Sequence, residues 1–181
     1  MEQKIKNLII FLAIIFLSPQ TFAKNCVIDT TQSSAEFVAT GKPAMIKISG
    51  KSTKLEGAID FKKNQDLGTI QIDLNTFDTE METRNEHMKE KYLEVNKANN
   101  KMAIFKLEKL GTQDFQGKLT LHGVEKNITG QSVTKSSETD CEATADFSLK
   151  LSEYNIEIPS YLGVTVAEDV VVKVSIKGKI L

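Results

Sequence analysis

The sequence predicts an all-β fold that contains one helix and is arranged as an antiparallel sandwich or a closed barrel. Apolar and polar residues alternate in roughly eight to ten segments, which is the period-2 pattern of strands with one buried face. Short turns join these segments, and no alternation of strands with helices indicates a parallel sheet. One segment near the middle of the chain has helical spacing instead.

Before the helix, strands are indicated by alternating apolar residues between turn signals. Gly41-Lys42-Pro43 and Asn64-Gln65-Asp66 mark two of the turns. The strands predicted from this pattern lie within residues 26–40 (a short strand, then residues 35–39) and at 44–48, 55–61 and 70–74.

The helical segment covers residues 78–95. Thr79 with Glu82 fits a capping box, and Thr83 with Glu86 offers a second start. One face of a helix with 3.6 residues per turn is defined by positions that recur at steps of three and four, which are Met81, Asn85, Met88, Tyr92 and Val95. Charged residues of mixed sign occupy the opposite side, as expected for a solvent-exposed face.

After the helix, alternation resumes and continues to the C-terminus. Turn residues at 111–114, at Gly123 and over 135–140 separate the strands, and a loop with Pro159 and Gly163 precedes the last one. The predicted strands lie at 103–108, 115–122, 125–133, 143–151 and 170–180.

Residues 1–23 have the pattern of a cleavable secretory signal peptide. Lys4 and Lys6 form a charged start, residues 8–17 are an apolar run, and Thr21-Phe22-Ala23 supplies a small-residue cleavage site. About ten apolar residues are too few to cross about 30 Å of hydrocarbon, which disfavours a membrane anchor. Since no linker or repeat divides the remainder, we predict one domain over residues 24–181, in a protein exported to the periplasm.

The charge balance and the aromatic content argue against two classes of protein. The full chain has 23 Lys and Arg and 24 Asp and Glu, and loss of the leader leaves a net charge of about −2. This balance lacks the basic footprint of nucleic-acid binding. No apolar run after the leader is long enough to span a membrane as a helix. With no Trp and three Tyr, the chain cannot supply the aromatic girdles of an outer-membrane barrel.

Cys26 and Cys141 are the two cysteines of the chain. In an exported protein such a pair can form a disulfide, which here would close a long loop worth about 4 kcal/mol in the chain-entropy model. The alternative is two unpaired small residues buried in strands. The sequence leaves both open, because it does not show whether the two Cα atoms come within bridging distance.

The sequence contains no recognisable catalytic or metal-binding signature. It lacks G-x-S-x-G, H-E-x-x-H, C-x-x-C and a glycine-rich phosphate loop. His87 on the helix and His122 at a strand end fall short of a metal-ligand pattern. We therefore predict no catalytic residue, no metal and no required cofactor. Arg84, Asn85 and His87 are the helix residues that can present hydrogen-bond donors, and they are our candidates for contacting a ligand head group.

Three groups of residues, in order along the chain, carry a family resemblance. The first is Thr83-Arg84-Asn85-Glu86-His87-Met88 with Tyr92-Leu93 and Ala103-Ile104-Phe105, and the second is GKLTLHGVEK over residues 117–126. The third runs from Phe147-Ser148-Leu149 through Tyr154-Asn155-Ile156 and Pro159 to Glu168-Asp169-Val170-Val171-Val172. Together they resemble the YceI family of exported polyisoprenoid-binding proteins, whose hairpin pattern is G-x-L-T-[LI]-x-G-V-x-[KR]. Cys26 and Cys141 are not general features of that family.

The resemblance implies an extended, lipocalin-like antiparallel β-barrel of eight strands with the helix covering one end. It also implies an elongated pocket for a long isoprenoid, a quinone or a related lipid. Such a barrel has just enough interior for one slender ligand, and an apolar wall suffices to bind a hydrocarbon tail. We expect Met88 and Tyr92 to close the mouth of the pocket. The expected wall is formed by Ile59, Phe61, Ile70, Ile72, Leu74, Phe105, Leu107, Leu119, Leu121, Phe147 and Leu149.

The favoured function is that of a periplasmic lipid-binding protein, not an enzyme. It would carry or store a polyisoprenoid, an isoprenoid quinone or a fatty-acid derivative. One alternative is a hydrolase or isomerase acting on an apolar substrate, with His87, His122 or a carboxylate as general base. The other is a filled barrel that meets a protein partner through the helix or the loop over 152–167. A homodimer is also compatible with the sequence.

Overall fold

The computed structural model describes residues 25–43, 45–63 and 65–181. The predicted signal peptide, residues 1–23, lies outside these residues. The described residues form twelve strands: β1 (Cys26–Ile28), β2 (Ser34–Lys42), β3 (Ile46–Ser52), β4 (Leu55–Ile59), β5 (Gly68–Asp73), β6 (Met102–Leu110), β7 (Asp114–Leu121), β8 (Val124–Ser136), β9 (Asp140–Lys150), β10 (Ser160–Tyr161), β11 (Val164–Val166) and β12 (Asp169–Ile180). Single 3₁₀ turns lie at Leu74–Thr76, Ala98–Asn100 and Leu151–Tyr154.

Eight of these strands close into an antiparallel barrel. Their cyclic order is β1, β4, β5, β6, β7, β8, β9, β12 and back to β1. The ring closes at β1, where Cys26 lies opposite Ile59 of β4 and opposite Ile180 of β12. The predicted fold class, an all-β eight-stranded barrel with one helix, is therefore confirmed.

The other four strands extend the wall at one end, which we call the mouth. β2 pairs with β12 through residues 34–38 and with β3 on its opposite side. β11 pairs with the same edge of β2 as β12 does, at positions past the N-terminal end of β12, with Thr165 opposite Lys42. β10 and β11 form a short hairpin within the stretch that the sequence assigned to a loop. The sequence missed this hairpin because its two strands are very short.

A disulfide joins Cys26 to Cys141 across the closing seam of the barrel. The two Cα atoms are 5.9 Å apart, the residues are separated by 115 positions in the chain, and both side chains are buried. The bond links β1 to β9, the two strands that flank the C-terminal part of β12. Gly178 of β12 lies against it, and a Cβ there would meet the carbonyl oxygen of Val27 at 2.3 Å. Glycine is therefore needed for the strands to approach this closely.

The end of the barrel opposite the mouth is filled by packed side chains. Its buried residues come from seven of the eight strands, where alternation directs them inward, and from Leu67 just before β5. They are Cys26, Ile28, Ile59, Leu67, Leu107, Phe115, Ile128, Cys141 and Ile176. We call this region the packed end.

The helical segment at the mouth is shorter than predicted and changes its geometry midway. It is α-helical over Glu82–Glu86 and π-helical over His87–Tyr92, where the Leu93 N–H donates to the Met88 carbonyl at 2.8 Å. Neither predicted capping box forms, because the N-cap position is held by Met81 without a side-chain cap. No helix of the described residues is long and apolar enough to cross a membrane.

We expect removal of the disulfide to destabilise the barrel without abolishing its fold. Replacing Cys26 and Cys141 together with alanine should lower the free energy of unfolding by about 4 kcal/mol, because the unfolded chain regains the entropy of a long loop. Urea unfolding of the variant, with thiol-reduced wild-type protein as the matched control, measures this difference. A variant as stable as the oxidised wild-type protein would contradict the role assigned to the bond.

Candidate functional site

An apolar cavity of about 660 Å³ lies inside the mouth end of the barrel. Its floor and sides are inward-facing residues of the strands, and the helix and the β10–β11 hairpin border its opening. The strand residues with wholly apolar side chains that line the cavity are Ala35, Phe37, Ala39, Ile46, Ile48, Leu55, Ile70, Ile72, Ala103, Leu119, Leu121, Phe147, Leu149, Val164, Val166, Val170, Val172 and Val174. The hypothesis of a filled barrel is therefore wrong for this end.

Most of the wall predicted from the sequence lies around this cavity. The predicted wall residues that line it are Ile70, Ile72, Leu74, Leu119, Leu121, Phe147 and Leu149. Met88 and Tyr92, which were expected to close the mouth, also border it. Contact between these residues and a ligand remains a prediction.

Four predicted wall residues do not line the cavity. Ile59 and Leu107 are buried in the packed end and belong to its hydrophobic core. Phe61 borders a separate cleft near Leu110. The ring of Phe105 packs edge-on against Phe115, with the ring centroids 5.6 Å apart. Alternation indicated that these side chains share a face with the cavity wall, but it does not indicate their height in the barrel.

An aromatic cluster forms the boundary between the cavity and the packed end. Phe115 contacts Phe105 on one side and Phe147 on the other, with a centroid distance of 5.9 Å to Phe147. Phe147 lines the cavity, whereas Phe115 is buried behind it. Gly117 and Gly130 leave room for these rings, since a Cβ at either glycine would lie within 2.8 Å of a ring atom. The cavity therefore ends at this cluster.

Part of the cavity wall was not predicted from the sequence. The alternation of Val170, Val172 and Val174 was recognised as a strand, but these residues were not assigned to the pocket, and neither was Phe37. The same period-2 signal that identified the other wall residues could have included them. Phe77 also lines the cavity, but it follows a 3₁₀ turn and carries no such signal.

Asn85 holds the helical segment on the barrel. Its side-chain carbonyl accepts hydrogen bonds from the N–H and the hydroxyl of Thr79, both at 2.8 Å, and its amide donates to Asp78 at 2.8 Å. The hydrogen bond from Asn85 is the main cause that lowers the pKa of the Asp78 carboxyl. Asp78 in turn pairs with Lys51 of β3 through two backbone hydrogen bonds of 2.9 Å. Asn85 is buried and does not line the cavity, so its polar atoms are used in the fold.

Arg84 and His87, the other two head-group candidates, do line the cavity at its opening. The guanidinium of Arg84 donates one hydrogen bond of 3.3 Å to the Thr79 carbonyl. The ring of His87 meets the ring of Tyr161 edge-on, with the centroids 5.2 Å apart. Nearby, the Tyr92 hydroxyl donates to the Ser160 carbonyl and accepts from its N–H, both at 3.3 Å. Two contacts therefore connect the helical segment to β10.

His122 lies away from the cavity and links two loops. One ring nitrogen lies 3.0 Å from the Tyr154 carbonyl and the other 3.2 Å from the Glu94 carboxylate. Glu94 also accepts a hydrogen bond from Lys97 at 2.6 Å. The hydrogen bonds from Lys97 and, to a lesser extent, His122 lower the pKa of Glu94. In the described part of the chain, no three His, Cys, Asp or Glu residues are arranged to hold a metal ion.

Comparisons with known proteins agree with the fold. A family model described as the YceI-like domain matches residues 27–178. A polyisoprenoid binding domain from Saccharophagus degradans, implicated in plant cell wall breakdown, superposes with a TM-score of 0.69 at 18% identity, over 88% of this chain and 100% of that chain. BcnA of Burkholderia cenocepacia gives 0.68 at 19% identity, over 83% of this chain and 99% of the other. The YceI protein of Campylobacter jejuni gives 0.52 at 15% identity, over 98% and 91%. No curated protein matches the chain significantly.

We expect Asn85 to contribute more to stability than its helical neighbours. Asn85→Ala leaves the buried N–H and hydroxyl of Thr79 without their acceptor, which should lower the free energy of unfolding by about 2 kcal/mol. The matched control is Glu86→Ala at the next, exposed position, which should change stability little. Urea unfolding of both variants measures the difference, and equal effects would contradict the role given to Asn85.

The Glu94 contacts predict a pH-dependent difference between two proteins. Because the pKa of Glu94 is lowered in the folded state, its charge stabilises the fold above the ordinary glutamate pKa of about 4.3, and this contribution is lost as the pH falls through the lowered value. Glu94→Gln should therefore be less stable than the wild type at pH 7, and the gap should close under acid. Glu90→Gln, at an exposed position, serves as the control in urea unfolding at pH 7 and at pH 2. A gap that persists at pH 2 would count against this account.

Proposed function

The chain belongs to the YceI-like domain family, and on this premise we propose that it is an exported protein that binds a long apolar lipid such as a polyisoprenoid. The ligand occupies the cavity at the mouth of the barrel, and the protein carries or stores it in the periplasm. The observation that carries the proposal is the composition of the wall, which is almost entirely aliphatic and aromatic from the opening to the aromatic cluster.

The size and the chemistry of the cavity suit a hydrocarbon chain. Its volume of about 660 Å³ falls within the range of small-molecule sites. A slender apolar ligand gains about 25 cal/mol for each Å² of surface that it withdraws from water, and it needs no polar partner along its length. The named S. degradans relative is described as a polyisoprenoid binding domain, which supports the same ligand class here.

The polar end of the ligand lies at the opening, where the cavity meets Arg84 and His87. Both side chains carry N–H donors, and each belongs to the lining of the cavity. Asn85 is not part of this proposal, since Thr79 and Asp78 already engage its amide. The tail therefore points toward the aromatic cluster and the head group toward the helical segment.

A binding protein fits the site better than an enzyme does. Of the two histidines considered as general bases, His122 lies outside the cavity lining, and its ring is engaged by Glu94 and the Tyr154 carbonyl. His87 lines the opening, where its neighbour is the Tyr161 ring. The YceI-like family and the S. degradans neighbour, described as a polyisoprenoid binding domain, also favour binding over catalysis.

Narrowing the cavity should remove the lipid while leaving the barrel folded. Val172 lies between Phe37 of β2 and Phe147 of β9 in the strand register, and all three side chains line the cavity. In Val172→Phe a third phenyl ring occupies this cross-section. Organic extraction of the purified protein followed by mass spectrometry should find a long-chain lipid in the wild type and at least about tenfold less in the variant, because overpacking excludes the ligand.

The matched control is Val171→Phe, at the adjacent position of the same strand, where the side chain is exposed on the outside. This variant should retain lipid as the wild type does, and circular dichroism should show both variants folded. The proposal is overturned if the wild type yields no long-chain lipid, or if Val172→Phe retains as much lipid as Val171→Phe.

A further inference from the structure

Large apolar side chains are exposed at two hairpin tips beside the mouth. On the β2–β3 tip, Met45 is 69% exposed, and Ile46 follows it. On the β10–β11 tip, Leu162 is 85% exposed, and Tyr161 precedes it. We call these four residues the tip residues. Ile46, Tyr161 and Leu162 also line the cavity opening, so the apolar surface is continuous from the tips into the interior.

The strand register places the two tips side by side. β2 lies between β3 and β11, with Gly41 opposite Ile46 on one side and Lys42 opposite Thr165 on the other. The chain turns beyond these pairs in both hairpins. The two tips therefore project from the same end of β2 and face the same direction.

The backbone conformation at each tip does not favour a large apolar side chain. Met45 has φ 53° and Leu162 has φ 47°, both in the left-handed region. Glycine or asparagine adopts this region at lower cost than a large side chain does. An exposed leucine beside Gly163 in such a turn gains nothing from the fold, since its side chain is almost wholly in solvent.

The charges around the tips suit an anionic, partly apolar surface. Residues 158–167, which contain the β10–β11 hairpin, include no charged side chain. The β2–β3 tip is flanked by exposed Lys42 and Lys47. Met81 is also exposed near the opening, but Glu80 and Glu82 stand on either side of it, so it is not part of this surface.

We propose that the tip residues dock the protein onto a lipid bilayer, with Lys42 and Lys47 against anionic head groups. The inference rests on the proposed function, because a bilayer is where a long apolar ligand is available. Tyrosine is favoured at the boundary between head groups and acyl chains, and leucine and methionine gain by entering the apolar layer. Apolar insertion and basic residues together give reversible binding that neither gives alone. The ligand then moves between bilayer and cavity without crossing open water.

The test is co-sedimentation of the purified protein with vesicles, either of phosphatidylcholine alone or of phosphatidylcholine with phosphatidylglycerol. The wild type should pellet with the mixed vesicles. The double variant Tyr161→Ser/Leu162→Ser should bind at least about tenfold more weakly, because two apolar side chains no longer enter the bilayer. The matched control is Val133→Ser on β8, which removes an exposed apolar residue that does not line the cavity, and it should bind as the wild type does.

The two lysines give a second, independent readout. Lys42→Gln/Lys47→Gln should lose most of the preference for phosphatidylglycerol and most of the salt sensitivity of binding, while the residual binding to neutral vesicles stays unchanged. Equal sensitivity to salt in this variant and in the wild type would overturn the role of the lysines.

Other outcomes overturn the docking proposal as a whole. These are a wild type that pellets with neither vesicle, a Val133→Ser variant that loses as much binding as the tip variant, and tips that instead hold two copies together. In the last case, light scattering would show a wild-type dimer that Tyr161→Ser/Leu162→Ser converts to a monomer.

Lipid extraction separates this docking proposal from the proposed lipid-binding function. Protein that carries lipid but does not pellet sinks docking alone, and protein that pellets but carries no lipid sinks the lipid-binding function alone.

Discussion

Closure of the barrel at β1 is the constraint on which the interior depends. The three residues of β1 pair with β12 along their whole length and with β4 at Cys26 and Val27, and the disulfide secures the same seam from inside. A closed ring leaves no strand edge free within it, and it turns one apolar face of every strand away from water. If the seam were open, the residues that now line the cavity would lie on an exposed sheet. The seam is therefore as important for the cavity as the wall residues are.

The same alternation of residues builds two different interiors. At the packed end, large buried side chains such as Leu107, Phe115 and Ile128, on the neighbouring strands β6, β7 and β8, occupy the interior. At the mouth, small residues such as Ala35 and Ala103 occupy equivalent inward positions, and space remains between them. The helical segment and the β10–β11 hairpin border the opening of the cavity and do not fill it. Both interiors are apolar, and the small inward side chains at the mouth help to leave the space that forms the cavity.

Period-2 alternation predicted an antiparallel sandwich or barrel, because each strand carries one apolar and one polar face. The YceI resemblance added the choice of a barrel, the number of strands and the pocket. Height along the barrel has no such signal, so Ile59 and Leu107 could not be separated from Ile70 and Leu119. The predicted start of the helix was wrong because Thr79, which fitted a cap, instead donates its hydroxyl to the side chain of Asn85 six residues later. The sequence left the pairing of Cys26 with Cys141 undecided. Their strands, β1 and β9, are distant in the chain and come together only because both pair with β12.

The aromatic cluster that ends the cavity has a consequence for ligand choice. A cavity that is closed at one end selects ligands by the length of their apolar tail. A tail that is too long leaves hydrocarbon in water, and one that is too short leaves apolar wall uncovered. Such a site distinguishes chains by their number of carbon atoms more than by their functional groups. Under the proposed function, Phe147 and the rings behind it would limit how far a tail enters the cavity, and the size of the residue at that position would set this limit.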